Sequence, residues 1–210
     1  MEQTLDQISE SLQKGNLPEV IRLCNIALAD KINASEILSA MLNGMSVIGG
    51  KFKKNEVFVP EVLIAARAMN GGLDVIRPYL VDEGVEPIGK IVIGTVKGDL
   101  HDIGKNIVSM MMVGAGFEVI DLGVNVTPEK FIEALEENNP DIVCMSALLT
   151  TTMVNMKDVI EAITEKGLRD QVKIMIGGAP VTDQFALEIG ADKYTPDAST
   201  AAEEAKRFII

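Results

Sequence analysis

The chain has 210 residues, 47% of them hydrophobic and 24% charged, enough for one large domain or two small ones. Asp and Glu outnumber Lys and Arg by 31 to 19, and the resulting net charge of −12 repels phosphate backbones, which argues against a nucleic-acid partner. No apolar run approaches the ~20 residues that cross a bilayer, the opening Met1-Glu2-Gln3-Thr4-Leu5-Asp6 has no secretory pattern, and Cys24 and Cys144 stand far apart without metal-ligand or disulfide spacing, so no membrane and a reducing cytoplasm are expected.

Through the first eighty residues, apolar side chains recur in steps of three and four. Leu5, Ile8 and Leu12 predict one helix, and Val20, Cys24, Ala27 and Leu28 a second, with Pro18 in its first turn. Ile37, Met41, Met45, Ile48 and Phe52 predict a third; Phe58, Val62, Ala65, Met69, Leu73 and Ile76 predict a fourth that Pro78 stops. Short connections between them imply an antiparallel four-helix bundle over residues 1–84. Residues 80–89, with two glycines, a proline and acids, read as a linker.

The period then changes. Lys90–Val96 is a buried-strand pattern and Ile103–Ala115 a helix. Glu118–Leu122 is a strand, and Pro128–Glu136 a helix opened by Thr127 as N-cap. Asp141–Ser146 is a strand, Thr152–Lys166 a helix ended by Gly167, and Val172–Ile176 a strand. Thr182–Ile189, Lys193-Tyr194 and Ala198–Phe208 follow as helix, strand and helix. Fivefold strand–helix alternation implies a five-stranded parallel sheet covered on both faces over residues 85–210, a flavodoxin-like (Rossmann-like) domain with its ligand beyond the carboxyl ends of the strands. The fold class is thus α/β with a helical cap ahead of it. There is no internal repeat, and the 11 methionines, including Met110-Met111-Met112, read as core fillers.

The loop after the first strand reads Gly98-Asp99-Leu100-His101-Asp102-Ile103-Gly104-Lys105-Asn106 and holds the chain's single histidine. A phosphate loop fits poorly, because Gly98 and Gly104 are six positions apart rather than five and Asn106 stands where Ser or Thr is required. A phospho-acceptor receiver needs an aspartate at the end of the third strand, where Ser146 stands. Acid–base catalysis by Asp99 and His101 is open, although no nucleophile accompanies them. Metal ligation is open as well: one histidine backed by one carboxylate is a poor zinc site, but a good axial site for a macrocyclic cobalt or iron cofactor that brings its own equatorial ligands. The plain alternative is a hydrogen-bonded, inert loop histidine.

The pattern Asp99-x-His101-x-x-Gly104, then Ser146-Ala147-Leu148-Leu149-Thr150, then Gly177-Gly178-Ala179, resembles the cobalamin-binding signature. Gly98–Asn106 is especially close to cobalamin-dependent methionine synthase, and Phe58-Val59-Pro60-Glu61 is similar to the cap module of that family. A cap plus a cobalamin domain resembles the small corrinoid proteins of anaerobic methyltransferase systems. The resemblance implies a corrinoid cofactor and a carrier subunit, itself non-catalytic. Such a subunit takes a methyl group on cobalt from a substrate-specific methyltransferase and passes it to a second one serving a thiol cofactor or tetrahydrofolate. It gives His101 the role of lower cobalt ligand and Asp99 that of its hydrogen-bond partner, with Gly98, Leu100, Asp102 and Gly104 around them. Ser146, Thr150 and Ala198 would meet the displaced nucleotide tail, Gly177 and Gly178 would leave room for it, and Leu148 would be a further cofactor contact. Phe58 and Val62 would cover the upper face of cobalt, with plain bundle core as the other reading. The linker would hinge the cap. Competing functions are an adenosylcobalamin-dependent regulator or light sensor, an isomerase subunit, and a cofactor-free interaction module.

Overall fold

Residues 2–210 are described by a computed structural model, and the change of period near residue 85 is its main division. One unit is formed by the chain as far as Pro87 together with Gly114–Gly116, the other by Ile88–Val113 and Phe117–Ile210. The first unit contains four helices: α1 (Glu2–Gln13), α2 (Leu17–Ala29), α3 (Ala34–Lys53) and α4 (Val59–Asp82). Helix α1 packs on α2 and α3, and α4 packs on α2 and α3. The predicted apolar faces supply the core: Ile8, Leu12, Val20, Cys24, Ile37, Met41, Met45, Ile48, Val62, Ala65, Met69 and Ile76 are all buried. Each buried Val, Leu, Ile or Met side chain contributes roughly 1.5–3 kcal/mol relative to an exposed one.

Pro78 does not stop the fourth helix, which continues to Asp82. A proline removes one N–H but presets a helical φ, and this one is exposed. Just beyond, Glu83 holds the helix end in place. Its carboxylate accepts the N–H of Ala34 at 2.7 Å and of Ser35 at 3.0 Å, two of the orphan donors at the start of α3. The connection to the second unit is therefore shorter than the predicted 80–89 and begins after Asp82.

The second unit alternates strand and helix: β1 (Lys90–Thr95), α5 (Ile103–Val113), β2 (Glu118–Asp121), α6 (Pro128–Asn138), β3 (Ile142–Ser146), α7 (Thr150–Met153), α8 (Asn155–Glu165), β4 (Lys173–Gly177), α9 (Asp183–Ile189), β5 (Lys193–Tyr194) and α10 (Ala198–Ile209). The strands are all parallel in the order β2-β1-β3-β4-β5. Register places Thr95 beside Ser146 and Ser146 beside Gly177, so three strands end in one row. Val92, Val143, Met145, Ile174 and Ile176 point to one face, where they pack with Phe131 of α6, Met156 and Ile160 of α8, and Ile189 of α9. Their strand neighbours Ile91, Ile93, Cys144 and Met175 are also buried and by the two-residue period face the other side, where α5 lies on β1 and β2 and packs against α10.

Two local expectations need correction. The predicted helix over Thr152–Lys166 is two helices, broken at Val154. Thr127 takes the N-cap position with extended backbone, yet its side chain makes no capping bond. Among the described residues, no helix is long and apolar enough to cross a membrane.

Candidate functional site

Beyond Thr95 the chain leaves the sheet through Gly98, whose φ of +81° is one that L side chains rarely adopt. The turn delivers Asp99 inward, where it is 1% exposed. Its Oδ1 accepts the N–H of His101 at 3.0 Å and meets the ring Nδ1 at 2.7 Å. Its Oδ2 accepts the N–H of Leu148 at 2.8 Å and the hydroxyl of Thr152 at 2.6 Å. One carboxylate thus joins the loop after β1 to the loop after β3. Burial alone pushes the Asp99 carboxyl up, but the hydrogen bonds from Thr152, Leu148 and His101 outweigh it and hold the group well below the usual carboxylate range.

An ionised carboxylate only accepts, so the proton of neutral His101 sits on Nδ1 and the lone pair on Nε2. Nε2 has no protein partner among the described residues, and the side chain is 51% exposed. The backbone is pinned as well, since Thr95 Oγ1 donates to the carbonyl of His101 at 2.9 Å.

The surroundings suit a large, flat, mostly apolar ligand. Leu100 and, at the start of α5, Ile103 are exposed after β1, and Leu148, Leu149 and, between α7 and α8, Val154 are exposed after β3, a concentration of apolar surface uncommon without a binding role. Gly104 adds space: a Cβ there would meet no atom within 4 Å. Asp102 is exposed and accepts the side-chain N–H of Asn106 at 3.2 Å. Among the described residues, no three His, Cys, Asp or Glu side chains gather to hold a bare metal ion. The site offers one nitrogen ligand, which fits a metal already bound in a macrocycle.

The other predicted residues are distributed as follows. Ser146 is half-buried at the end of β3, and Thr150 is exposed at the start of α7. Gly177 ends β4 and Gly178 follows it. A Cβ on Gly178 would stand 1.8 Å from the carbonyl oxygen of Ala147, and its φ is +131°. The glycines permit strand ends to approach one another. Ala198 is buried at the first turn of α10. Phe58 and Val62 belong to the helical unit and differ from each other: Phe58 precedes α4 and is 62% exposed, whereas Val62 is fully buried in the core.

Sequence reasoning missed Thr152 as a site residue. It ends a run of three threonines, and only the register of α7 shows which hydroxyl turns inward. The amide of Leu148 carries no residue-type signal at all.

With this geometry in view, the comparisons are specific. Residues 89–206 match the B12 binding domain family, and residues 4–77 match a second B12 binding domain family. A corrinoid protein of Desulfitobacterium hafniense is 39% identical over 209 residues, covering 98% of this chain and 97% of its own. The trimethylamine corrinoid protein of Methanosarcina barkeri is 45% identical over 187 residues, covering 88% of this chain and 86% of its own. The methanol:cobalamin methyltransferase complex of Methanosarcina barkeri contains a chain that superposes with a TM-score of 0.90 at 27% identity, covering 99% of this chain and 80% of that one. Two matched domains that leave little of the chain outside them, and relatives that are corrinoid proteins along almost their whole length, lead to the same place: this chain belongs to the B12-binding corrinoid protein family, and its cofactor is cobalamin or a related corrinoid.

Proposed function

We propose that this chain is a methyl carrier. It receives a methyl group from a substrate-specific methyltransferase and yields it to a second methyltransferase that serves a thiol cofactor or tetrahydrofolate. The observation that carries the reading is the Asp99–His101 pair, with Nδ1 engaged at 2.7 Å and Nε2 left exposed. Relatives named for trimethylamine and dimethylamine, and the similarity to a methanol:cobalamin methyltransferase complex, support the same class of donor.

When bound, the corrinoid supplies a cobalt centre able to take up and release a methyl group. His101 is the residue to ligate it through Nε2, in place of the cofactor's own base. Asp99 keeps the proton on Nδ1 and so keeps the Nε2 lone pair available. Leu100, Ile103 and Leu148 exclude water beside the ring, and Gly104 permits close approach. Ser146 and Thr150 are the hydroxyls assigned to the nucleotide tail. Of the two cap residues singled out, exposed Phe58 rather than buried Val62 is suited to meet a cofactor.

The test is transfer of label. The protein is loaded with hydroxocobalamin, reduced chemically, and mixed with a methylamine- or methanol-specific methyltransferase and its isotopically labelled substrate. Stoichiometric label retained by the protein, and then released to a thiol by a second methyltransferase, is the expected result. Loaded protein that retains no label from any of these donors refutes the carrier reading.

A further inference from the structure

The loop that carries His101 is held from one more side, and by a residue that no motif marks. Asn125, in the connection between β2 and α6, has a φ of +54°. Its side-chain Oδ1 accepts the N–H of Gly98 at 2.7 Å, and its own N–H donates to the carbonyl of Asp99 at 2.9 Å. The two bonds grip the Gly98–Asp99 peptide from both ends. Both gripped residues are ones whose conformation matters: Gly98 makes the left-handed turn, and Asp99 aims the histidine.

Asn125 is itself well anchored. The N–H of Thr95 donates to the carbonyl of Gly123 at 3.0 Å, and the N–H of Val126 donates to the carbonyl of Thr95 at 2.9 Å, so residues 123–126 run alongside the end of β1. Behind them the carboxylate of Asp121 accepts the N–H of Gly123 at 2.8 Å and pairs with Lys105, which is 2% exposed and also donates to Asn106 at 2.7 Å. Lys105 belongs to the helix that begins just after His101. The circuit therefore starts and ends on the ligand loop.

We infer that Asn125 is a positioning residue for the cobalt ligand. It presets the Gly98–Asp99 turn, and through Asp99 the His101 ring, before any cofactor arrives. Such preorganisation improves affinity by removing the cost of ordering the loop on binding. Asparagine suits the post because it tolerates the left-handed conformation and places an acceptor within reach of a neighbouring amide. The inference rests on His101 being the lower ligand, and its test separates the two.

Three variants and two readouts decide it. Asn125→Gly keeps the left-handed backbone and deletes the acceptor; Asn125→Asp keeps both; His101→Ala tests the underlying ligation. The first readout is hydroxocobalamin affinity together with the bound-cofactor spectrum. Asn125→Gly is expected to bind about tenfold more weakly, with a smaller histidine-ligated fraction and an unchanged melting temperature, and Asn125→Asp to stay within about twofold of wild type. The second readout needs no cofactor. Gly98 is exposed, so slow hydrogen exchange of its amide in the wild-type apoprotein comes from the bond to Asn125, and it is expected to speed up at least about tenfold in Asn125→Gly. Wild-type affinity and spectrum in Asn125→Gly overturn the inference, as does a loss that Asn125→Asp fails to restore or an unprotected Gly98 amide in the wild type. A His101→Ala spectrum identical to wild type overturns the ligand assignment, and with it any role of Asn125 toward cobalt.

Discussion

The helical unit and the strand-end loops of the α/β unit fold by different means. The helical core is apolar nearly throughout: of the seven buried polar or charged residues described, only Ser9 lies there. The other six, Thr95, Asp99, Lys105, Thr152, Thr195 and Ser199, belong to the α/β unit, and four of them surround or support the loop that carries His101. Hydrophobic packing is non-directional and tolerates repacking. Hydrogen bonds fix positions to tenths of an ångström. The molecule uses the first where it needs only a stable body and the second where a ring nitrogen must face one way.

That contrast can be broken by mutation, and the effects are expected to differ in kind. The largest loss belongs to Gly178→Ala. The new Cβ meets a backbone carbonyl oxygen at 1.8 Å, at a φ that alanine rarely adopts, so the strand ends must separate. A destabilisation above about 4 kcal/mol is expected, read as loss of folded protein or a collapse of the denaturation midpoint. Next is Phe131→Ala, which empties a fully buried site on one sheet face. About 3–5 kcal/mol is expected in a urea titration. Thr152→Val is subtler. It removes a 2.6 Å hydroxyl donor from Asp99 with little change in volume. A loss of about 1–3 kcal/mol is expected, together with a raised Asp99 pKa and a weakened hold on the His101 ring, visible in the imidazole nitrogen resonances.

The smallest effect is a pH dependence in the helical unit. The amides of Ala34 and Ser35 hold the Glu83 carboxyl below its ordinary value. A depressed carboxyl stabilises the fold above its unfolded pKa of about 4.3, and that contribution vanishes as pH falls through the lower folded value. Wild type is therefore expected to melt slightly above Glu83→Gln at neutral pH, with the two converging as the solution is acidified below about pH 4. Parallel melting curves at every pH would show that Glu83 does not cap α3 in solution.

The same contrast explains what the sequence could reveal. Periodicity reports burial, so the helices built on Ile8, Met41 and Met69 and the strands through Val92 and Val143 were legible, as was the parallel order of the sheet. Periodicity says little about where a helix yields. Pro78 lies inside α4, and just past the end of that helix Glu83 reaches residues 34 and 35, a contact with no local signal. In the site, Asp99 and His101 were legible because residue type and spacing carry their chemistry. Thr152 and Asn125 were not, since each acts through a partner more than twenty residues away in sequence. Gly177 and Gly178 were legible as positions that call for glycine, whereas the close approach of Gly178 to the Ala147 carbonyl was not.

The proposed methyl carriage has His101 presenting Nε2 to cobalt, and the most direct measurement is electron paramagnetic resonance of the protein loaded with corrinoid and reduced to the cobalt(II) state. Wild type is expected to show the superhyperfine splitting of one axial nitrogen, and growth on isotopically labelled histidine is expected to alter that splitting. His101→Ala is expected to retain its fold and lose the histidine signal. A splitting insensitive to histidine labelling, or identical in His101→Ala, would contradict the assignment.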